Sequence, residues 1–293
     1  MRVLVLGGTG SIGGPVVRAI VKRGHEVLAL ARSAASAQRV VAFGAQPVPG
    51  NIRRPEEWLQ ALPAVDAVIH AACEFEGAME GIERHLLDHL LPHLAASERK
   101  PRFIYTGGCW LFGATGDQVA TEATPFRALP AFAWAVPHIK RVLETSGIEP
   151  TVIHPAMVYA GGGGVFSSFA RDSVERRAIR IVGSENVRWP LVHSDDLANL
   201  YALVLERGVA HESYIGSAID GFPVGRIARA FAKRSGALDR DLQVISADDI
   251  AAELGDWARG YALDQQASGE KARLSLGWDP KHLDPESDIA SIN

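Results

Sequence analysis

The amino-terminal stretch of the chain holds its most constraining feature, three glycines that follow a short apolar run. Val3–Leu6 leads directly into Gly7, Gly10 and Gly13, in the sequence VLVLGGTGSIGG. Gly7 permits a tight turn, Gly10 lets the backbone approach a ligand, and Gly13 lets the next helix pack closely on the strand. The first turn of that helix presents free N–H groups and a positive dipole end. The pattern therefore predicts a strand, a turn and a helix that bind the pyrophosphate of a dinucleotide.

The rest of the first half of the chain alternates short apolar runs with helical patterns. The predicted strands are Val3–Leu6, Val27–Ala31, Pro47–Pro49, Ala67–His70, Arg102–Thr106 and Thr151–His154, and the predicted helices are Ile12–Lys22, Ala37–Phe43, Pro55–Leu62, Ala78–Ser97 and His138–Ser146. Strands that are apolar throughout and separated by helices are typical of a parallel sheet covered on both faces. The sequence thus predicts an α/β protein with a doubly wound parallel sheet, whose ligands bind beyond the carboxyl ends of the strands.

After Pro155 the pattern becomes less regular. The predicted strands are Ile179–Val182 and Trp189–His193, and the predicted helices are Phe166–Ser173, Asp195–Glu206, Val224–Ser235, Asp248–Leu263 and Gln266–Leu276. The sequence shows no repeat and no low-complexity linker that would separate an independent domain. We therefore predict that residues 1–160 form a dinucleotide-binding core. Residues 161–293 are expected to form a smaller carboxyl-terminal substrate lobe, interleaved with that core in a single structural unit.

Charge and cysteine content exclude several classes of function. A formal net charge of -4 gives no general attraction to nucleic acids or acidic membranes, and no segment has the ~20 apolar residues that span a bilayer. Cys73 and Cys109 cannot form a disulfide framework, which favours the cytoplasm. No spacing of the ten histidines is typical of a zinc site, so no metal is predicted. His85, His89 and His93 recur at helical spacing, and we expect them to face solvent or a partner subunit.

Motifs along nearly the whole chain resemble the extended and atypical short-chain dehydrogenase/reductases, the epimerase/dehydratase-like group. These motifs are GGTGSIGG, DAVIHAA (Asp66–Ala72), IYTGGCWLFG (Ile104–Gly113), HPAMVYAGG (His154–Gly162), WPLVHSDDLANLY (Trp189–Tyr201) and EKARLSLGW (Glu270–Trp278). The resemblance implies a Rossmann fold, a nicotinamide dinucleotide and a small-molecule substrate. The cofactor-binding residues that it implies are Gly7, Thr9, Gly10, Ser11, Ile12, Gly13, Arg32, Asn51, Ile52, Ala71, Ala72, Lys140, Pro155 and Met157.

The residues after the second predicted strand indicate which dinucleotide the chain prefers. The position that resembles the ribose-binding carboxylate of NAD-preferring relatives is Ala31, and Arg32 follows it. A carboxylate repels a ribose 2′-phosphate, whereas a guanidinium binds it. The sequence therefore predicts NADP(H) as the preferred cofactor, with NAD(H) as the alternative. Asn51 and Ile52 fall where the family contacts the adenine ring.

The active-site motif departs from the family pattern. The family's tyrosine–lysine pair falls on Val136 and Lys140, and valine has no exchangeable proton to donate. Pro137 disfavours helical dihedral angles at the preceding residue, so Val136 is expected outside the helix, at or before its start. By resemblance, Lys140 holds the nicotinamide ribose and Thr106 polarises the substrate oxygen. The candidate proton donors that remain are His138, Tyr159, His193, Thr106 and water.

Several aromatic residues fall where the family lines its substrate pocket. The expected substrate contacts are Cys109, Trp110, Phe112, Trp189 and His193. Such a lining favours an apolar or aromatic compound over a nucleotide sugar, and ordinary core packing is the alternative interpretation. The sequence thus predicts an NADP(H)-dependent oxidoreductase for a small carbonyl or alcohol, with a non-standard proton donor. A non-catalytic NADP(H) sensor and a redox-neutral epimerase or dehydratase are the alternatives, and a homodimer is compatible with the sequence.

Overall fold

The computed structural model describes residues 1–74, 79–161, 163–176, 178–236 and 242–292. Within these ranges, no helix combines the length and the apolar character needed to traverse a bilayer. The chain divides into two compact units. The first comprises Met1–Gly107, Trp134–His154 and Leu197–Tyr214, and the second comprises Gly108–Ala133, Pro155–Asp196 and Ile215–Asn293. Each unit therefore draws on separate stretches of the chain.

The strands, numbered in chain order, form the sheets of both units. They are β1 (Arg2–Leu6), β2 (Glu26–Ala31), β3 (Gln46–Pro49), β4 (Ala67–His70), β5 (Arg102–Thr106), β6 (Glu149–Pro155), β7 (Met157–Ala160), β8 (Gly163–Gly164), β9 (Ile179–Val182), β10 (Arg188–His193), β11 (Glu212–Gly216), β12 (Ile219–Pro223) and β13 (Leu242–Ile245). The largest sheet has the order β11-β6-β5-β4-β1-β2-β3, and the pairs between β3 and β6 along this order are parallel. This arrangement confirms the predicted doubly wound α/β fold.

The helices connect these strands. They are α1 (Gly13–Lys22), α2 (Ala34–Ala42), α3 (Met79–Ala95), α4 (Ala135–Glu144), α5 (Ser167–Glu175), α6 (Ser194–Arg207), α7 (Val224–Arg234), α8 (Ala247–Leu254), α9 (Glu270–Leu276) and α10 (Pro285–Ala290). Short 3-10 turns add Pro55–Glu57, Leu59–Ala61, Cys109–Phe112, Pro130–Phe132 and Asp256–Ala262.

The core of the first unit explains why its central strands are apolar throughout. In β1, Val3, Leu4, Val5 and Leu6 are all fully buried, because helices cover both faces of the sheet. Strand β1 lies between β2 and β4 and ends at Leu6, immediately before the glycine turn. The fold thus places that turn at the carboxyl edge of the sheet, where doubly wound proteins bind ligands.

Helix α4 begins earlier than predicted. Trp134 is its N-cap and already has helical dihedral angles (φ -60°, ψ -27°), so Val136 lies inside the first helical turn. The prediction that Val136 lies outside the helix is wrong. Pro137 is tolerated because the first N–H groups of a helix have no intrahelical acceptor, so the missing N–H of proline removes no bond.

Two other predicted helices differ from the structure. The stretch 55–62 forms two 3-10 turns instead of an α-helix. The predicted helix over 248–263 ends at Leu254, because Gly255 has φ +101° and cannot continue an α-helix. A 3-10 turn then covers Asp256–Ala262.

The second unit contains two smaller sheets. A four-stranded sheet has the order β12-β10-β7-β8, and β13 pairs with β9 in parallel. Its core includes Tyr159 stacked on Phe166, with ring centroids 4.5 Å apart. Strands β11, β12 and β13 were not predicted from the sequence, because polar residues and glycine interrupt runs such as ESYIG and IDGFP.

Candidate functional site

A cavity of about 450 Å³ lies in the first unit, at the carboxyl ends of β1, β2, β3 and β4. It is concave and partly apolar, as small-molecule sites usually are. Its lining residues are Gly7, Thr9, Gly10, Leu30, Arg32, Ser36, Gly50, Asn51, Ile52, Ala71, Ala72, Cys73 and Glu74. The structure thus brings together eight of the residues that the sequence predicted to bind a dinucleotide, namely Gly7, Thr9, Gly10, Arg32, Asn51, Ile52, Ala71 and Ala72.

The glycine turn has the tight geometry that its spacing predicts. Gly7 has φ +82°, and a Cβ atom there would lie 2.6 Å from the carbonyl oxygen of Ala71. A Cβ atom on Gly13 would lie 2.1 Å from the carbonyl oxygen of Gly7, so the start of α1 touches the turn directly. At Gly10 the nearest atom would be the Gly7 oxygen at 3.3 Å. Gly7 and Gly13 are therefore required by the fold, whereas Gly10 leaves one side of the turn open to the cavity.

Charged residues surround the end of the cavity that follows β2. Arg53 donates a hydrogen bond from Nε to Glu74 Oε2 at 2.9 Å, and Arg32 lies 3.7 Å from the same carboxylate. The hydrogen bond from Arg53 and the charges of both guanidinium groups lower the pKa of Glu74, against the effect of its partial burial. Glu74 is therefore ionised at neutral pH. Two guanidinium groups and one carboxylate leave this end with a net positive charge.

Helix α2 begins beside this charged end. Ser33 caps the helix by accepting a hydrogen bond from the backbone N–H of Ser36 at 3.2 Å, and Ser36 itself lines the cavity. Arg39, one turn later, donates to the carbonyl oxygen of Thr9 at 2.7 Å and fixes the glycine turn. Ser36, Arg53 and Glu74 were not predicted from the sequence. Their only signal was the position of each shortly after a strand end.

The other predicted cofactor contacts do not line this cavity. Ser11 and Ile12 lie at the start of α1, where Ile12 is the N-cap. Pro155 and Met157 are buried in the second unit, Met157 within its apolar core. Lys140 is a further case, because its side chain is 75% exposed and its nearest acidic atom is Glu144 Oε1 at 3.9 Å. Their roles in cofactor binding stay predictions.

A buried polar cluster lies behind the carboxyl end of β4. His70 Nε2 is 3.0 Å from Glu83 Oε1, and both side chains are almost fully buried. Burial raises the pKa of Glu83. The charge and hydrogen bond of His70 and the hydrogen bond from Tyr105 lower it by more than burial raises it, so the pKa of Glu83 lies below its ordinary value. His138 faces the same cluster, and burial lowers its pKa. The cluster therefore holds an ionised carboxylate that other side chains stabilise.

The three predicted catalytic side chains do not converge. Thr106 Oγ1 lies 2.6 Å from the hydroxyl of Tyr201 on α6, whereas the preceding residue in β5, Tyr105, faces Glu83 on α3. Successive residues of a strand point to opposite faces, so Thr106 points away from the sheet face that α3 and α4 cover. On α4, His138 is buried while Lys140 is exposed. Thr106 is thus hydrogen-bonded to Tyr201, His138 is buried and Lys140 is accessible to solvent, and their roles in catalysis stay predictions.

The predicted substrate contacts lie in the second unit, and most belong to its core. Cys109, Phe112 and Trp189 are buried, and burial raises the pKa of Cys109 to about 12. Trp189 donates from Nε1 to the carbonyl oxygen of Tyr261 at 3.0 Å. Each of the three side chains contacts other core groups, which agrees with the alternative interpretation of core packing, and their contact with a substrate stays a prediction. Trp110 remains half-buried against this core.

His193, the fifth predicted contact, belongs to a polar group in the second unit. Its ring stacks on the ring of His282 with centroids 3.7 Å apart. His282 Nδ1 lies 3.1 Å from Asp288 Oδ1, and the other oxygen of Asp288 accepts a hydrogen bond from Tyr159 at 2.8 Å. Burial and the neighbouring His282 lower the pKa of His193, so it is neutral at pH 7. Tyr159 is fully buried, which supports packing for it over proton donation.

The sheet order and the glycine-lined cavity at its carboxyl edge define a doubly wound protein of the dinucleotide-binding type. Residues 3–216 match the model of the NAD dependent epimerase/dehydratase family, and the chain belongs to this family. The resemblance found in the sequence is thereby confirmed.

Similar proteins span most or all of the chain. The chain is 27% identical over 299 residues to an uncharacterized protein of Schizosaccharomyces pombe, and the alignment covers 99% of each chain. It is 26% identical over 234 residues, or 76% of this chain and 70% of the relative, to the 4-hydroxy-2-methyl-3-oxo-4-farnesyl-3,4-dihydroquinoline-1-oxide ketoreductase of Stigmatella aurantiaca. A double mutant of dTDP-glucose 4,6-dehydratase from Streptomyces venezuelae, solved with NAD bound, matches with a TM-score of 0.84 at 20% identity over 100% of this chain and 96% of its own. The structural match shows a shared fold.

Proposed function

We propose that the protein is an NADP(H)-dependent oxidoreductase that acts on a small apolar or aromatic carbonyl or alcohol. The observation that carries the proposal is the cavity of the first unit, where the glycine turn and Arg32 lie around one concave space. A pyrophosphate fits the turn because Gly10 presents no side chain and the start of α1 offers N–H groups. The likeness to a ketoreductase supports carbonyl chemistry. NADPH supplies a hydride when it is bound.

The preference for NADP(H) is argued from the charged end of the cavity. Arg32 lines this end of the cavity, Arg53 is held beside it by its hydrogen bond to Glu74, and Ser36 adds a hydroxyl beside the amino terminus of α2. A helix amino terminus and guanidinium groups both favour a phosphate. Glu74 carries the opposing charge, but its hydrogen bond to Arg53 offsets it. The charged end of the cavity would therefore bind the 2′-phosphate of NADP(H). NAD(H) has a 2′-hydroxyl at this position and offers the two arginines no phosphate.

The proposal assigns cofactor contact on α4 to Lys140. Val136 and Lys140 are four residues apart on one helix and therefore share a face. Lys140 is exposed and free to reach a ribose hydroxyl, and Val136 leaves the family's phenol position without a proton. Thr106 is engaged with Tyr201, so the substrate oxygen would take its proton from water.

An NADP(H)-binding sensor without turnover is the second candidate. The observation that favours it is the surroundings of the catalytic positions: Val136 has no hydroxyl, Thr106 is hydrogen-bonded to Tyr201, and His138 is buried. A sensor needs the cavity and its affinity but no proton donor. An epimerase or dehydratase of this family would also need proton transfer, so the loss at Val136 counts against it as well.

The test measures cofactor binding and turnover separately. NADPH binding is followed by calorimetry, and NADPH oxidation is followed at saturating cofactor with a panel of aldehydes, ketones and quinones. For an oxidoreductase, Lys140→Ala lowers turnover, while Lys22→Ala, an exposed lysine at the far end of α1, leaves it unchanged. Val136→Tyr then restores a phenol and raises turnover by about 100-fold, the usual contribution of a positioned general acid.

Two outcomes decide against the enzyme. Tight NADPH binding with no oxidation of any substrate, in the wild type and in Val136→Tyr alike, supports the sensor. No binding of either dinucleotide overturns both candidates. For the rest of the proposal, we expect the protein in the cytoplasm, and a homodimer would be detected as a doubled mass in sedimentation.

A further inference from the structure

A group of three potential metal ligands lies on the surface of the first unit, outside the cofactor cavity. It consists of Glu56, in the 3-10 turn Pro55–Glu57, and His85 and His89 on α3; we call it the Glu56–His85–His89 cluster. One ligand atom of each residue lies within 4.8 Å of the other two. In a tetrahedral zinc site with Zn–N and Zn–O bonds of about 2.0–2.1 Å, the ligand atoms are roughly 3.4 Å apart. Small side-chain rotations would close the remaining distance.

We propose that the Glu56–His85–His89 cluster binds one divalent ion of the zinc class through two imidazoles and one carboxylate. The donor set suits zinc and the neighbouring late first-row ions, whereas magnesium prefers an all-oxygen, octahedral site. Three protein ligands leave a fourth position for water. The site joins α3 to the segment that follows Asn51 and Ile52 in the wall of the cavity.

The helix spacing positions the two imidazoles. His85 and His89 are four residues apart, so both rings leave the same face of α3, and their centroids lie 4.6 Å apart. His89 Nδ1 donates to the backbone carbonyl of His85 at 2.9 Å. This bond fixes the proton on Nδ1 and leaves the lone pair of Nε2 free for a metal, which is the orientation that metal-binding histidines usually have.

The carboxylate is already held against the first imidazole. Glu56 Oε2 lies 3.2 Å from His85 Nε2, although the two residues are separated by 29 positions in the sequence. A proton now shared by these atoms would leave to solvent when an ion takes its place. Both side chains are about half exposed, at 51% for Glu56 and 44% for His85, so an ion can enter directly from solvent.

The sequence contains a matched control. His93 follows His89 by four residues on the same helix and is exposed, but it is not part of the cluster. His282 belongs to another group, with His193 and Asp195 in the second unit, where the two rings stack face to face. Removing His93 or His282 therefore tests whether binding depends on this cluster or on histidine content in general.

The experiment titrates the full-length, untagged protein with Zn²⁺ by calorimetry and uses Co²⁺ as a spectroscopic probe. We expect one ion per chain, visible d–d bands with Co²⁺, and no binding of Mg²⁺. His85→Ala and His89→Ala each weaken Zn²⁺ binding by at least tenfold, and Glu56→Gln weakens it while keeping a polar side chain of the same shape. At a hundredfold excess over Kd, Zn²⁺ raises the Tm of the wild type by about 5 °C.

The variants alter side chains that are at least partly exposed, and circular dichroism checks that each remains folded. His93→Ala and His282→Ala are expected to bind like the wild type. Equal binding by the wild type and by His89→Ala, or loss of binding in His282→Ala alone, overturns the proposal. Binding of several weak ions with no change on substitution of Glu56, His85 or His89 identifies an adventitious ion only and overturns it equally.

Discussion

Alanine substitutions in the glycine turn separate its role in folding from its role in binding. The key change is Gly10→Ala, because a Cβ atom there meets only a 3.3 Å contact with the Gly7 carbonyl oxygen and then projects into the cavity. Gly13→Ala is the opposite case. Its Cβ would lie 2.1 Å from the Gly7 oxygen and 2.7 Å from the Gly7 carbonyl carbon, both backbone atoms that cannot rotate away.

The expected magnitudes follow from these distances. Gly10→Ala hinders the approach of a phosphate to the turn, which costs one hydrogen bond to a charged group, about 1.5–3 kcal/mol. At about 1.4 kcal/mol for each factor of ten, the Kd for NADPH rises roughly 10- to 100-fold. Gly13→Ala forces the backbone to move and lowers the free energy of unfolding by about 1–3 kcal/mol or more, as overpacking does.

Gly14→Ala is the matched control. Like Gly13→Ala, it adds a methyl group to α1. The atom nearest to this methyl group belongs to the ring of Phe43, at 3.4 Å, which is an ordinary contact away from the cavity. Alanine is favoured over glycine in a helix by about 1 kcal/mol, so this variant is expected to be at least as stable as the wild type and to bind NADPH normally.

The assay combines thermal unfolding with calorimetric titration of NADPH on the three variants. Of the three variants, only Gly10→Ala is expected to lose NADPH binding while it keeps its stability. If Gly10→Ala binds NADPH as tightly as the wild type and remains folded, the phosphate does not lie against the turn. That result would falsify the assignment of the cavity.

Four further predictions test other parts of the first unit. Arg32→Glu weakens NADPH binding by roughly 10- to 100-fold, since a charged hydrogen bond contributes about 1.5–3 kcal/mol, and leaves NADH binding nearly unchanged; equal losses for both dinucleotides contradict the assigned preference. Glu83→Ala leaves buried His70 without its partner and lowers the free energy of unfolding by about 3 kcal/mol in urea titrations, and a loss under 1 kcal/mol contradicts this role. The pKa of Glu83 is lower in the folded protein than in the unfolded chain. The ionised Glu83 therefore stabilises the folded protein above about pH 4.5, and this stabilisation is lost as the pH falls through the folded-state pKa. Glu83→Gln abolishes this pH dependence. Tyr201→Phe removes the bond to Thr106 and lowers stability by about 1 kcal/mol with turnover unchanged; a large loss of turnover at normal stability would instead assign Thr106 to catalysis.

The fold was predictable where a physical requirement repeats locally. Strands Ala67–His70 and Arg102–Thr106 were predicted to the residue, because a sheet covered on both faces needs a continuous apolar run. The roles of Gly7 and Gly13 follow equally from local spacing. The last predicted helix, Gln266–Leu276, ends at the predicted residue, and Gly277 follows it in the left-handed conformation, with φ +67°.

The structure departs from the predictions where packing overrides a local preference. The residue before a proline avoids helical angles in isolation, yet Val136 lies in the first turn of α4, next to buried Ala135. Cys109 and Trp189 are buried among side chains from distant parts of the chain, and their predicted contact with a substrate stays a prediction. No local pattern distinguishes an enclosed aromatic residue from one that lines a cavity.

Two of the three charged groups at this end of the cavity were also beyond a sequence-based prediction. Arg32 was found because it directly follows a clear strand, whereas Arg53 and Glu74 are 21 positions apart and meet only through the sheet order. The pair of Thr106 and Tyr201, 95 positions apart, is a similar case. Contacts of this kind depend on which strands become neighbours in the sheet. The identity of a single residue in the sequence does not indicate them.

The division of the first unit into three separate segments bears on how the protein is made. Its last segment, Leu197–Tyr214, supplies Tyr201 to Thr106 and Glu206 to Arg23, while Trp134–His154 supplies the strand beside β5. A growing chain that has left the ribosome only as far as residue 190 contains Trp134–His154 but still lacks Leu197–Tyr214, and it must keep part of its central sheet uncovered. Since exposed apolar strands promote association, synthesis rate and chaperone access should govern the yield of this protein more strongly than the stability of the finished molecule.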